Sequence, residues 1–86
     1  MYKVYILESE IKLKHYVGHT QNITDRLFRH NQGLVKSTKT YKPWKVIYIE
    51  KFYTREEACK REKQIKSYRG GEAFKKLINH RLWRGE

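Results

Sequence analysis

The chain has 86 residues, with 20 Lys/Arg against nine Asp/Glu, a formal charge of +11 and a pI near 9.9. That length confines it to one domain that can just bury a core of its own; residues 1–86 read as that domain, with a basic tail over about 81–86. No apolar run approaches the roughly 18 residues of a membrane span, no signal-peptide pattern opens the chain, and the lone Cys59 excludes an internal disulfide or a multi-cysteine zinc site. A soluble protein of the reducing cytoplasm is the expectation. The basic residues continue along nearly the whole chain, which points to nucleic acid as the partner. A generally soluble basic surface is the bland alternative, and no basic helix with a bulky apolar face supports a membrane.

MYKVYILES alternates as a strand does, with Tyr2, Val4 and Ile6 facing one way and Lys3, Tyr5 and Leu7 the other. A polar turn at 9–13 leads to a second strand, KHYVG, close enough to form an antiparallel hairpin. Gly18 ends it, for backbone freedom or to admit a close neighbour. Asn22 then caps a helix from about Ile23 to Asn31 that stops at Gly33. Residues 34–45 read as an exposed basic loop. WKVIYIEKFY is a third strand, and its unbroken Val46–Ile49 run predicts burial on both faces and a central position. Thr54 and Glu57 form a capping box for a helix through about Tyr68, closed by Gly70-Gly71. A last helix, Glu72 to about His80, turns Phe74, Leu77 and Ile78 inward. The order β-β-α-β-α-α predicts an α+β fold: a small three-stranded antiparallel sheet flanked by helices.

Some polar groups fall where core residues belong. On the first helix Ile23, Leu27 and Leu34 mark the inward stripe, and Arg26 and His30 share or border it, one turn apart. The structural alternative is a snorkelling Arg26 and a locally bonded His30. On the next helix Glu62 lies between Ala58 and Ile65, where a carboxylate is costly unless it meets a cation. That cation is Arg26 or a lysine on the structural reading, and a divalent metal on the functional one. Tyr5 and Tyr16, on paired strands, bring two hydroxyls to the same region if they share a face, although tyrosine in a strand is usually packing. The four histidines have no convincing zinc spacing. Lys36, Lys39, Lys42, Tyr41 and Trp44 suit backbone contacts and base stacking, as does Trp83 in the tail. Edge packing is the alternative for both tryptophans.

KVY at 3–5, YVG at 16–18, Arg26 and His30 on the following helix, and Glu62 within REKQIKSY together resemble the GIY-YIG nuclease domain. The first triplet keeps the tyrosine but has Lys3-Val4 for Gly-Ile, and YVG is a conservative form of YIG. The likeness covers about residues 1–80 and is nearest to small stand-alone members related to the nuclease domain of bacterial excision repair (UvrC). It implies phosphodiester hydrolysis, of DNA above all, with one divalent cation, magnesium or manganese. By position, Glu62 ligates the metal, Tyr16 or Tyr5 orients or deprotonates water, Arg26 offsets phosphate charge and His30 bonds a tyrosine or the phosphate. His19 stands where several relatives carry lysine, which implies a supporting part in catalysis. Such nucleases commonly use a further DNA-binding domain, so weak shape- or end-directed recognition, a homodimer or a partner protein supplying targeting is expected. The same basic fold holding nucleic acid without cutting it is the alternative function.

Overall fold

The computed structural model describes residues 1–79. The predicted tail, with Trp83 and with His80 before it, lies outside the described residues. Strands β1 (Tyr2–Ser9), β2 (His15–Thr20) and β3 (Trp44–Phe52) form one antiparallel sheet in the order β2-β1-β3. Helix α1 (Ile23–Asn31) follows β2, while α2 (Arg55–Ser67) and α3 (Glu72–Asn79) follow β3. The observed order is the predicted β-β-α-β-α-α.

Both faces of the sheet are core. Val4, Ile6, Val17, Ile47 and Tyr48 pack with Ala58 and Ile65 of α2 and Phe74 of α3. On the opposite face Tyr5, Leu7 and Trp44 pack with Ile23 and Leu27 of α1. The alternation of β1 therefore serves two cores, and Val4 through Leu7 are each 0% exposed. Burying each of these side chains is worth about 1.5–3 kcal/mol, which makes β1 the spine of the molecule.

The predicted central place of β3 is incorrect: β1 is central and β3 is an edge. The apolar run that suggested otherwise has a local cause. Ile6 pairs with Tyr48 but Leu7 pairs with Val46, so Ile47 is an extra residue in a bulge. The bulge sends Ile47 and Tyr48 to one core while Val46 and Ile49 face the other. Four consecutive apolar residues thus reflect a register shift.

The helix signals act as read. Asn22 accepts from the Asp25 N–H at 2.9 Å, and both halves of the Thr54–Glu57 capping box form at 3.2 Å. Gly33 takes φ +78°, beyond the end of α1. Leu34 does not extend the inward stripe: it follows that turn and is exposed. Beside the first core, Glu50 of β3 takes both the Nε–H and an Nη–H of Arg61 at 2.9 Å, clamping α2 to the sheet.

Candidate active site

Of residues 34–45, expected as an exposed loop, Trp44 and Lys45 belong to β3 and the rest are pinned down at several points. A 3₁₀ turn spans Lys39–Tyr41. The Asn31 side chain accepts from the Trp44 N–H at 2.6 Å and donates to its carbonyl at 3.1 Å. The Trp44 indole N–H donates to the Thr38 carbonyl at 2.9 Å. Trp44 is 4% exposed, so its predicted role in stacking on bases is withdrawn: the indole belongs to the core beneath α1. Tyr41 is half-buried at the edge of that indole, with the Lys14 ammonium 5.4 Å from its ring centre. Lys36, Lys39 and Lys42 are exposed.

Tyr5 and Gly18 are partners in the β1–β2 register and face α1. The tyrosine ring lies over the glycine: a Cβ there would meet its Oη at 2.7 Å and its Cζ at 2.8 Å. Gly18 is required for this close approach. Tyr16 borders the same space, its ring centre 6.4 Å from that of Tyr5 and 5.0 Å from that of His30. The hydroxyl of Tyr5 is 3.1 Å from His30 Nε2, and His30 Nδ1 is 2.8 Å from Thr38 Oγ1. His30 is 0% exposed. Burial, with the Arg26 charge adding to it, lowers its pKa to about 4, so the imidazole is neutral near pH 7.

Arg26, one turn before His30, lies against the Tyr5 hydroxyl. Burial pushes the Tyr5 phenol up to about 12, with the guanidinium opposing that rise. The Arg26 pKa is itself raised, first by its contact with Tyr5. Its Nε–H is buried with no protein acceptor. An unanswered donor in such a place is costly and suits a site awaiting an anion.

Glu62 arrives from α2, on the other side of the sheet. Its Oε1 meets His19 Nδ1 at 2.5 Å and its Oε2 meets the Lys66 ammonium at 2.6 Å. Burial alone would raise its pKa, but His19 and Lys66 together hold the carboxyl below the usual range. The predicted Glu62–Arg26 pair does not form; Lys66 supplies the countercharge and His19 a hydrogen-bonding contact. Cys59 Sγ is 3.9 Å from the other nitrogen of His19. Tyr5 senses the Glu62 charge, which places the carboxylate within electrostatic range of the phenol. A cleft of about 270 Å³ is lined by Tyr2, His19, Thr20, Gln21, Arg26 and Arg55, so that Arg26 and His19 both open onto it.

The structure thus joins Tyr5, Tyr16, Arg26 and His30 in one cluster and brings Glu62 and His19 to its border. Sequence reasoning missed Thr38 and the His19–Glu62 pair. Thr38 had no signal, and His19, expected as a support to catalysis, had none that tied it to a residue 43 positions away. Among the described residues no three His, Cys, Asp or Glu side chains gather to hold a metal. At the border of the cluster the described residues offer the carboxylate of Glu62. That fits magnesium or manganese, which accept a carboxylate and complete their shell with water and phosphate oxygens. It does not fit a structural zinc.

Residues 1–75 match the family model described as the GIY-YIG catalytic domain. The chain is 49% identical over 53 residues to a UPF0213 protein of Listeria welshimeri, covering 60% of this chain and 59% of that one. A UPF0213 protein of Staphylococcus saprophyticus is 41% identical over 54 residues, covering 62% and 66%. A third, from Listeria monocytogenes, is 47% identical over 53 residues, covering 60% and 59%. The aligned part spans about three-fifths of the length of the relatives it matches. No solved structure matches the chain.

Proposed function

The chain belongs to the GIY-YIG family of nuclease domains, and on that premise we propose that it is a metal-dependent endonuclease that hydrolyses phosphodiester bonds in DNA, single-stranded or branched, in repair or recombination. The observation that carries this reading is a small cleft lined by Arg26, whose Nε–H is unanswered, and by His19, with the Tyr5–His30 pair packed behind the arginine and the Glu62 carboxylate bonded to the histidine. Each suits a part of phosphoryl transfer, and together they leave room for a phosphate.

Glu62 would hold a magnesium or manganese ion, which would supply Lewis-acid stabilisation of charge developing on the phosphate. Lys66 is half exposed and can swing away from Oε2 to make room for it. Arg26 donates to the non-bridging oxygens, where a permanent planar cation offsets growing negative charge. Tyr5 and Tyr16 orient the attacking water. His30 fixes the Tyr5 ring, and His19 holds the Glu62 carboxylate in place. Lys36, Lys39 and Lys42 contact the flanking backbone, and a homodimer or partner protein supplies targeting. A chain of +11 charge with no described helix able to cross a membrane suits work on nucleic acid in the cytoplasm.

The test is incubation of wild type and Glu62→Ala with labelled single-stranded, duplex and flap DNAs in magnesium, manganese or EDTA. Cutting that needs metal and disappears in folded Glu62→Ala supports the proposal and ranks the substrates. Salt-sensitive binding with no cutting under any condition favours a non-catalytic binding module instead.

A further inference from the structure

The buried chain that runs inward from the Tyr5 hydroxyl has a direction. At its inner end, Thr38 Oγ1 donates to the Val35 carbonyl at 3.3 Å, an acceptor only. With its proton committed there, Thr38 Oγ1 accepts from His30 Nδ1–H across 2.8 Å. A neutral imidazole carries one N–H, so His30 Nε2 is left with a lone pair, and the Tyr5 O–H donates to it across 3.1 Å. At the outer end the guanidinium of Arg26, a donor only, lies against the same phenol oxygen. Donor-only and acceptor-only groups thus close the two ends, and they agree on one polarity.

We infer that Thr38 is a positioning residue for the reaction: by holding His30 as the Nδ1–H tautomer, it makes Tyr5 an obligate hydrogen-bond acceptor toward the cleft. The consequence is specific. With its proton turned inward, the phenol oxygen presents lone pairs only, so Arg26, or a water that substrate binding brings against it, must donate a hydrogen to Tyr5. That leaves a water lone pair free to face phosphorus. The opposite tautomer would turn the phenol proton outward and direct the water's lone pair at Tyr5. Tyr5 and His30 are 0% exposed and Thr38 is 1% exposed, so solvent does not interrupt the chain. The same threonine lies between Lys36 and Lys39, which ties the fold of the basic segment to the polarity of the site.

The inference rests on the nuclease reading for its consequence in catalysis, but not for the tautomer, and the experiment separates the two. Nitrogen-15 NMR of the His30 ring near pH 7 reports which nitrogen carries the proton, with no substrate present. Wild type is expected as Nδ1–H. Thr38→Val, which keeps the shape and the backbone acceptor for Trp44, is expected to revert to Nε2–H. Thr38→Ser restores Nδ1–H. In cleavage, Thr38→Val lowers kcat about tenfold with KM unchanged, as expected for loss of one oriented hydrogen bond, and Thr38→Ser recovers it. Wild-type His30 found as Nε2–H, or a tautomer and kcat indifferent to Thr38→Val, overturns the inference. A correct set of tautomers in a chain that cuts nothing supports the polarity and counts against the nuclease reading alone.

Discussion

His19 Nδ1 stands 2.5 Å from Glu62 Oε1, bridging an edge strand and a helix separated by 43 positions in sequence. The contact pins the one carboxylate of the site by one oxygen, while Lys66 takes the other. With the proposed metal on Glu62, Lys66 would compete with it for Oε2. Lys66→Met is expected to tighten manganese binding by about twofold, the size of a half-exposed pair one helical turn apart. Isothermal titration of both proteins with manganese measures it; unchanged affinity places the metal elsewhere.

Gly18→Ala puts a methyl 2.7 Å from the Tyr5 hydroxyl oxygen and 3.2 Å from the Tyr16 ring. Both rings are packed, and the overlap falls on the body of Tyr5 as well as on its tip. Overpacking of this kind costs about 1–3 kcal/mol, a fall in Tm of several degrees in so small a domain. Activity should fall further than stability, because the displaced hydroxyl belongs to the site. Tyr5→Phe does not rescue the alanine variant, since the Cζ contact at 2.8 Å remains. Thermal melts and cleavage rates on the two single variants and the double variant check this.

The neutral, buried His30 makes stability depend on pH. Its folded pKa, about 4, is below the value near 6.5 of an exposed histidine. Between these values the unfolded chain binds more protons than the folded one, so stability falls as pH drops from 6.5 toward 4. The slope approaches about 1.4 kcal/mol per pH unit. The depressed carboxyls of Glu50 and Glu62 contribute stability that is lost below the usual carboxylate range, so the interval from about 6.5 to 4.5 belongs largely to His30. Urea melts across that interval should show a shallower pH dependence in His30→Gln than in wild type.

Lys36, Lys39 and Lys42 are exposed beside the buried Thr38 and should touch phosphates without reading bases. Reversing all three charges is expected to flatten the dependence of log affinity on log salt by about 2–3 for duplex DNA. Trp44→Phe, by contrast, should lower Tm through loss of the indole bond to Thr38 and leave that slope unchanged. Filter-binding at several salt concentrations distinguishes the two effects.

The elements were legible because their signals are local: the Asn22 cap, the Thr54–Glu57 box and Gly33 each act within a few residues. Arg26, His30 and Glu62 stood out because a charged or titratable group on an inward stripe demands a reason. The place of β3 was illegible, since a bulge at Ile47 and a doubly buried strand produce the same apolar run. The order of the segment 34–45 is illegible for a related reason. Its ordering comes from Asn31, Trp44 and Ser9, whose Oγ donates to the Tyr41 carbonyl at 2.7 Å, and none of these bonds has a signature in neighbouring residues. Thr38 is the sharpest case. It sits among exposed lysines and becomes buried only through a histidine eight positions away. Composition marks such a stretch as solvent-facing, and only the packing reveals the one residue in it that faces inward.

The account depends above all on Glu62 being the residue that holds the metal. The most direct measurement is paramagnetic broadening of the amide NMR signals of wild type and Glu62→Gln on addition of substoichiometric manganese. The account predicts selective broadening in wild type around Glu62, His19 and the start of α1, lost in Glu62→Gln while the remaining spectrum stays that of the folded protein. Broadening that survives the substitution, or that centres away from the cleft, would contradict it.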